Sequence, residues 1–337
     1  MKIKVSYFIV LIIIITVLLV NCDGDGNDNA SIRLDNAVQL TYSSGNQSAQ
    51  NPAFSPDGQY ILFTRFLDGY NEPPSELVII NISTGAEQII VPASTGVEHI
   101  SVPGPVWING KITWSSDLPG NANEIYTAND DGTNKHHTTH PEAEGYYIEP
   151  VFNPQDTNKI IFEYVFSDDT PHQIAIVEID EGNRITYLTD DPDYDDRLPG
   201  WSYDGNSILF QRADAGQENW QIYTAAIILG DPPELNGISR LVQPEDSANC
   251  DNSWYYDGLY ILSSSDYEDA YNISIPNIFA FPVSGGDPLR ITITPTNEDG
   301  APSCSHDGKW IAFETHYGED EENPSEIWII ETPLEMQ

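Results

Sequence analysis

Three kinds of side-chain grouping in this sequence could do chemistry. The densest histidines are His136-His137-Thr-Thr-His140. Imidazoles at that density suggest metal ligation. Neighbours on a strand point to opposite faces, however, so His136 and His137 cannot share one ion without a distorted backbone. We read them as an exposed edge or loop. Asp57, Asp204, Asp257 and Asp307 each precede a glycine. Their recurrence in the same Asp-Gly turn assigns them to hairpins rather than to acid–base catalysis. Gly200-Trp-Ser202-Tyr-Asp204 has the outline of a nucleophile elbow, but Asp204 stands where that turn requires glycine. Ser202 is read as a turn residue, and no catalytic residue is assigned.

The third grouping is acidic and aromatic. It comprises Tyr146, Tyr147 and Glu149, then Asp193, Asp195, Asp196 and Arg197, then Asn249 and Asp251, and finally Glu298 and Asp299. Carboxylates converging beside aromatic rings would attract a cation or a basic, aromatic-anchored protein segment. Whether they converge depends on the elements that carry them.

Those elements repeat. Pro52-Ala-Phe54-Ser-Pro-Asp57-Gly58 followed by Ile61-Leu-Phe63 reads as two short strands joined by a tight turn, because glycine takes positive φ without steric cost. Variants follow at Trp107, Phe152, Trp201, Trp254 and Cys304, the positions equivalent to Phe54, at spacings of 53, 45, 49, 53 and 50 residues. Each repeat carries a third strand, such as Glu76–Ile80, Gln173–Ile176 or Glu326–Ile329. Several end in a fourth, such as Ile185–Thr189, Ser239–Val242 and Leu289–Thr292. A repeat of this length built of short strands predicts an all-β, six-bladed propeller. The sixth repeat lacks its fourth strand, while Ala37–Thr41 precedes the first repeat without a partner. The N-terminal strand is therefore expected to complete the last blade and remove two sheet edges. In such a ring the acidic and aromatic segments enter the innermost strands and surround one mouth of the central channel. A divalent cation at that mouth is a further possibility of the same oxygens, with no metal ligand assigned and no cofactor expected.

The 337 residues carry 53 acidic and 13 basic side chains, a formal charge of −40. Such a surface repels a phosphate backbone and argues against nucleic-acid binding. Lys2 and Lys4 precede an apolar run from Phe8 to Val20, which fits an export signal. Its end, Leu19-Val20-Asn21-Cys22, resembles a bacterial lipobox, with Asn21 departing from the small residue usual there. We expect a signal peptide over 1–21, lipidation of Cys22, a flexible tether over 22–35 and one propeller over 36–337. The acidic start of the tether departs from a calcium loop at Asp28 and Leu34. Cys250 and Cys304 are offset by about 13 Å along a strand, which favours a buried free thiol at Cys304 over a disulfide.

The pattern Pro-x-Phe/Trp-Ser-x-Asp-Gly-x-x-Ile-x-Phe, then x-Ile-Tyr, then a Leu-Thr strand, resembles the TolB-type, WD-like propeller repeat. Repeats one, four and six carry it most fully. Trp107-Ile-Asn-Gly110 and Asn153-Pro-Gln-Asp156 depart from it. TolB-type propellers are associated with envelope complexes that include a peptidoglycan-associated lipoprotein, although TolB's preceding α/β domain has no counterpart here. The resemblance implies a non-enzymatic protein whose mouth binds another envelope protein or a peptide segment. Where TolB is soluble, the lipobox departs from it, and we expect a monomeric, lipid-anchored envelope protein, periplasm-facing or at the surface. The alternative is a metal-dependent polysaccharide lyase-like enzyme, or a propeller that binds a glycan or small ligand. A lyase of that kind needs channel histidines, for which only His99 lies near a mouth segment. A serine peptidase reading has no room for its hydrolase domain before Gln337.

Overall fold

The computed structural model describes residues 33–93, 100–101, 106–117, 123–139, 145–167, 170–241, 247–267, 271, 273, 275–318 and 323–336. Cys22, the segment expected to be a signal peptide, most of the tether, His99 and His140 lie outside the described residues. The remainder forms six four-stranded antiparallel sheets. A two-residue strand β1 (Val38–Gln39) comes first. The first blade is β2 (Ser48–Phe54), β3 (Tyr60–Phe66), β4 (Ser75–Asn81) and β5 (Glu87–Val91). The second is β6 (Ile100–Ser101), β7 (Lys111–Ser116), β8 (Glu124–Asn129) and β9 (His136–His137). The third is β10 (Tyr146–Asn153), β11 (Asp156–Val165), β12 (Gln173–Glu178) and β13 (Arg184–Tyr187). The fourth is β14 (Tyr194–Trp201), β15 (Ser207–Asp214), β16 (Gln221–Ile228) and β17 (Glu234–Arg240). The fifth is β18 (Asn249–Trp254), β19 (Tyr260–Ser265), β20 (Asn277–Pro282) and β21 (Leu289–Arg290). The sixth is β22 (Asn297–Cys304), β23 (Trp310–Tyr317) and β24 (Ser325–Glu331), completed by β1.

The expected ring closure is present: Val38 pairs with Ile329 and Gln39 with Trp328. Packing closes the ring independently. Along β3, Ile61 and Phe63 face a core shared with Ala312, Ile327 and Ile329 of the sixth blade, while Leu62 faces Trp107 and Trp114 of the second. A strand buried on both faces must be apolar at successive positions, which is why the repeat reads Ile-Leu-Phe rather than alternating. A core of this kind lies between every neighbouring pair of blades.

The Asp-Gly turns are structural. Gly58, Gly205, Gly258 and Gly308 adopt φ of 67°, 69°, 73° and 70°. The Asp57 carboxylate accepts from Ser55 Oγ at 2.7 Å and from the Gln59 amide at 3.0 Å. Asp204 and Asp307 repeat this with Ser202 and Ser305. Ser202 thus holds a turn. The departing second repeat uses Asn109 and Gly110, at φ of 50° and 71°, as a two-residue hairpin turn.

The outer strands expected at Ala37–Thr41, Ile185–Thr189 and Leu289–Thr292 stop short of their threonines for a shared reason, whereas that of the fourth blade runs earlier and longer, over Glu234–Arg240. Thr41, Thr139, Thr189 and Thr292 turn their hydroxyls onto the amides of Ile327, Ile125, Ile174 and Ile278, at 2.8–2.9 Å. The hydroxyl replaces a backbone carbonyl, so the regular ladder stops there while the amide stays satisfied. His136 and His137 lie on the edge strand β9, His136 exposed and His137 stacked on Tyr126 beside Glu124. Cys250 and Cys304 are free thiols, Cys304 buried and pushed up to about 12 chiefly by burial.

Candidate functional site

The site is built by a local irregularity of the innermost strands. Pairing of β2, β10, β14, β18 and β22 with their neighbours breaks in the middle at Gln50/Ala53, Ile148/Val151, Arg197/Gly200, Cys250/Ser253 and Gly300/Ser303. Within each break one non-glycine residue takes positive φ: Asn51 at 56°, Glu149 at 54°, Leu198 at 50°, Asp251 at 52° and Ala301 at 46°. Each stands three residues before the anchor position. A bulge bends its strand and re-aims one side chain, and a left-handed non-glycine residue costs of order 1 kcal/mol. All five line one cavity of about 50 Å³ on the channel axis, together with Asn252, Trp201 and Trp254.

Carboxylates from neighbouring strands hold three of these bulges. Glu314 accepts the Asn51 amide at 2.8 Å, Glu163 the Leu198 amide at 2.9 Å, and Asp251 the Ala301 amide at 3.3 Å. Glu163 also binds His172 Nδ1. The consequence is a concentration of carboxyl groups with little access to solvent. Burial, then Glu163 and Asp251, push Glu149 up to about 8. Burial and Asp251 push Glu314 up to about 8 against the pull of the Asn51 amide and the Tyr70 hydroxyl. Burial raises Asp251 as well, opposed by the Ala301 amide. Glu149 and Asp251 keep partial solvent contact through the cavity while lying deep in the channel.

A second, larger cavity of about 240 Å³ adjoins the first at Asp251. Glu298, Glu314, Asp266, Tyr70 and His316 are on its wall. Tyr70 reaches over from the first blade, donating to Glu314 at 3.3 Å, and its ring meets that of His316 edge-on with the centroids 4.5 Å apart. Among the described residues no group of three or more His, Cys, Asp or Glu side chains is disposed to hold a metal ion.

The structure sorts the residues singled out from sequence into three places. Glu149 and Asp251 meet in the axial cavity, and Glu298 is exposed on the wall of the larger one. Tyr146 and Asp193 are exposed, while Arg197 is half-buried over the Trp220 ring at 4.9 Å and paired with Asp195. The others hold the fold. Tyr147 packs on Phe162, Asp196 is fully buried against Arg212, and Asn249 accepts from Ser265. Asp299 takes both ends of the Arg33 guanidinium, at 2.8 and 3.0 Å. Sequence reasoning missed Asn51, Tyr70, Asn252, Glu314 and His316. The offset of three from each anchor would have found Asn51. Tyr70 lies in a loop between strands and carries no repeat signal.

No protein-family model matches the chain, and no curated protein matches it. Solved structures do, at low identity. TolB from Acinetobacter baumannii superposes with a TM-score of 0.55 at 15% identity over 85% of this chain, which spans 64% of that TolB. An oligogalacturonate lyase in complex with manganese gives 0.54 at 16%, covering 88% of this chain and 80% of the lyase. A gluconolactonase from Xanthomonas campestris gives 0.58 at 11%, covering 88% and 89%. The chain is a six-bladed β-propeller similar in fold to TolB proteins and, equally, to propeller enzymes.

Proposed function

We propose that the chain is a binding propeller, exported and held at a membrane by lipid on Cys22, whose acidic channel mouth receives a segment of another protein. The observation that carries this is the cavity of about 240 Å³ between the mouth and the axis, with carboxylates and two aromatic rings on its wall. A partner segment of opposite charge would be steered to it and anchored there. The fold's occurrence in TolB agrees with such a role and does not choose the partner.

The test is affinity capture from detergent-solubilised envelope. Asp195 and Asp196 hold Arg197 and Arg212, so substitutions there would report on folding. Wild type is therefore compared with Tyr146→Ala/Glu298→Gln, both exposed at the mouth. We expect a stoichiometric partner with wild type and its loss with the double variant. Equal capture by both would sink the mouth as the binding surface.

One observation supports a second reading, since His316 stands beside Glu298 and Glu314 in the larger cavity. A polysaccharide lyase-like enzyme would need a divalent cation there, although these three side chains are not disposed as a ligand set in this structure. Manganese titration with an assay for unsaturated oligogalacturonate products tests it directly.

A further inference from the structure

Buried carboxylates near this channel are mostly paired with arginine. Arg33 neutralises Asp299, Arg212 neutralises Asp196, and Arg197 neutralises Asp195. Glu149, Asp251 and Glu314 differ. Among the described residues no arginine, lysine or histidine forms an ion pair with any of them, and Asp251 acts on the other two as a like charge. Uncompensated buried charge is costly, so such carboxyls hold a proton until something supplies the opposite sign.

The two carboxylates share a space where that charge could sit. Asp251, Gly300 and Glu314 together line the larger cavity. A Cβ on Gly300 would come 3.2 Å from Asp251 Oδ2 and 4.0 Å from Glu314 Oε1, so the glycine keeps a side chain from crowding that wall. The cavity's volume of about 240 Å³ is several times the roughly 30 Å³ share of one water. An unused acceptor lies on the adjoining axial wall. Asn252 is 8% exposed there, and its Oδ1 has no hydrogen-bond partner among the described residues. The Tyr70 and His316 rings offer a face for an aliphatic stem or a cation.

We propose that this cavity receives one organic cation, the ammonium of a lysine or the guanidinium of an arginine on the partner segment, with Asp251 and Glu314 as its counter-charges. Only the origin of the cation rests on the binding function above; the pocket itself can be tested without a partner. An organic cation suits the site better than a metal ion, because a side chain fills a cavity of this size and needs two carboxylates rather than a full coordination shell.

The experiment titrates the full chain by calorimetry, with tryptophan fluorescence as a second readout since Trp201 and Trp254 line the adjoining axial cavity. The probes are Nα-acetyl-lysine amide, Nα-acetyl-arginine amide, the uncharged Nα-acetyl-norleucine amide and Ca²⁺. One or both charged amides should bind one-to-one, and the norleucine amide should not; their ratio identifies which cation the pocket takes. Asp251→Asn keeps the shape and the left-handed backbone, and should weaken binding at least about tenfold. Gly300→Ala keeps both carboxyls but puts a methyl 3.2 Å from Asp251 Oδ2 on the cavity wall, and should do the same. Asp131→Asn, in an exposed turn, should leave binding unchanged.

Binding of the norleucine amide equal to that of the charged amides would overturn the proposal. So would unchanged affinity in Asp251→Asn, or Ca²⁺ binding that displaces both amides. If Gly300→Ala misfolds, Asp251→Asn still decides. Failure here is separable from failure of the proposed function. A captured partner that neither amide competes away leaves the mouth and removes this pocket, whereas amide binding without a captured partner does the reverse.

Discussion

At the scale of single residues, the channel concentrates strain and charge in the same places. Asn51, Glu149, Leu198, Asp251 and Ala301 hold left-handed backbone around one axis, and two of them are acidic. Glu149 and Glu314 titrate near 8 in the folded chain, against an ordinary value of 4.5. The folded state therefore keeps protons that the unfolded chain releases. Their contribution to stability is fully present below about 4.5 and is lost as pH rises through about 8. Chemical denaturation should show wild-type stability falling between pH 5 and 8.5. Glu149→Gln and Glu314→Gln should each flatten that slope and add on the order of 1–2 kcal/mol at pH 8.5. An unchanged slope in both variants would mean that the two carboxyls are compensated in solution. These residues were half legible in sequence. Glu149 and Asp251 stood out as acidic residues next to anchor positions. Asn51, Leu198 and Ala301 share no residue type with them, because the bulge fixes backbone shape and leaves side-chain chemistry free.

At the scale of the element, the blade is a ladder terminated by hydroxyls. Thr189 supplies the acceptor for the Ile174 amide at 2.9 Å and is buried. Thr189→Val keeps the shape and strands that amide, so the denaturation midpoint should correspond to a loss of about 1–3 kcal/mol. Thr189→Ser should recover most of it, and a valine variant as stable as wild type would show that another acceptor takes over. The hairpins and the third strands were readable because each rests on adjacent residues with fixed turn chemistry, as at Ser55, Asp57 and Gly58. The strand ends were not. Leu-Thr looks like the continuation of a β pattern, and only the partner amide on the neighbouring strand reveals that the threonine ends it. Tyr147, Asp196, Asn249 and Asp299 were read as mouth residues for the same reason. Sequence position put them at the right end of the channel, while their partners Phe162, Arg212, Ser265 and Arg33 are set by tertiary packing.

At the scale of the whole molecule, closure and charge govern behaviour. The ring was legible from strand counting alone, since six repeats held one strand too few and the N-terminus one too many. The clasp beside the seam was not. Arg33 binds Asp35 and Asp299 while its guanidinium lies 4.9 Å from the Phe313 and Trp328 rings. Arg33→Met keeps the stem but leaves Asp299 fully buried without its counter-charge, at a cost of about 3–5 kcal/mol. Thermal unfolding should fall by several degrees, and pairing the change with Asp299→Asn should restore much of the loss. A closing strand that pairs at only two residues, flanked by Thr41 and Arg33, also has a mechanical meaning. Tension applied through the N-terminal end of the propeller, against a partner gripped at the mouth, would load β1 first. Once β1 peels away, the outer edge of β24 is bare and ready to pair with another chain. A propeller pulled too hard would therefore become adhesive before it unravelled.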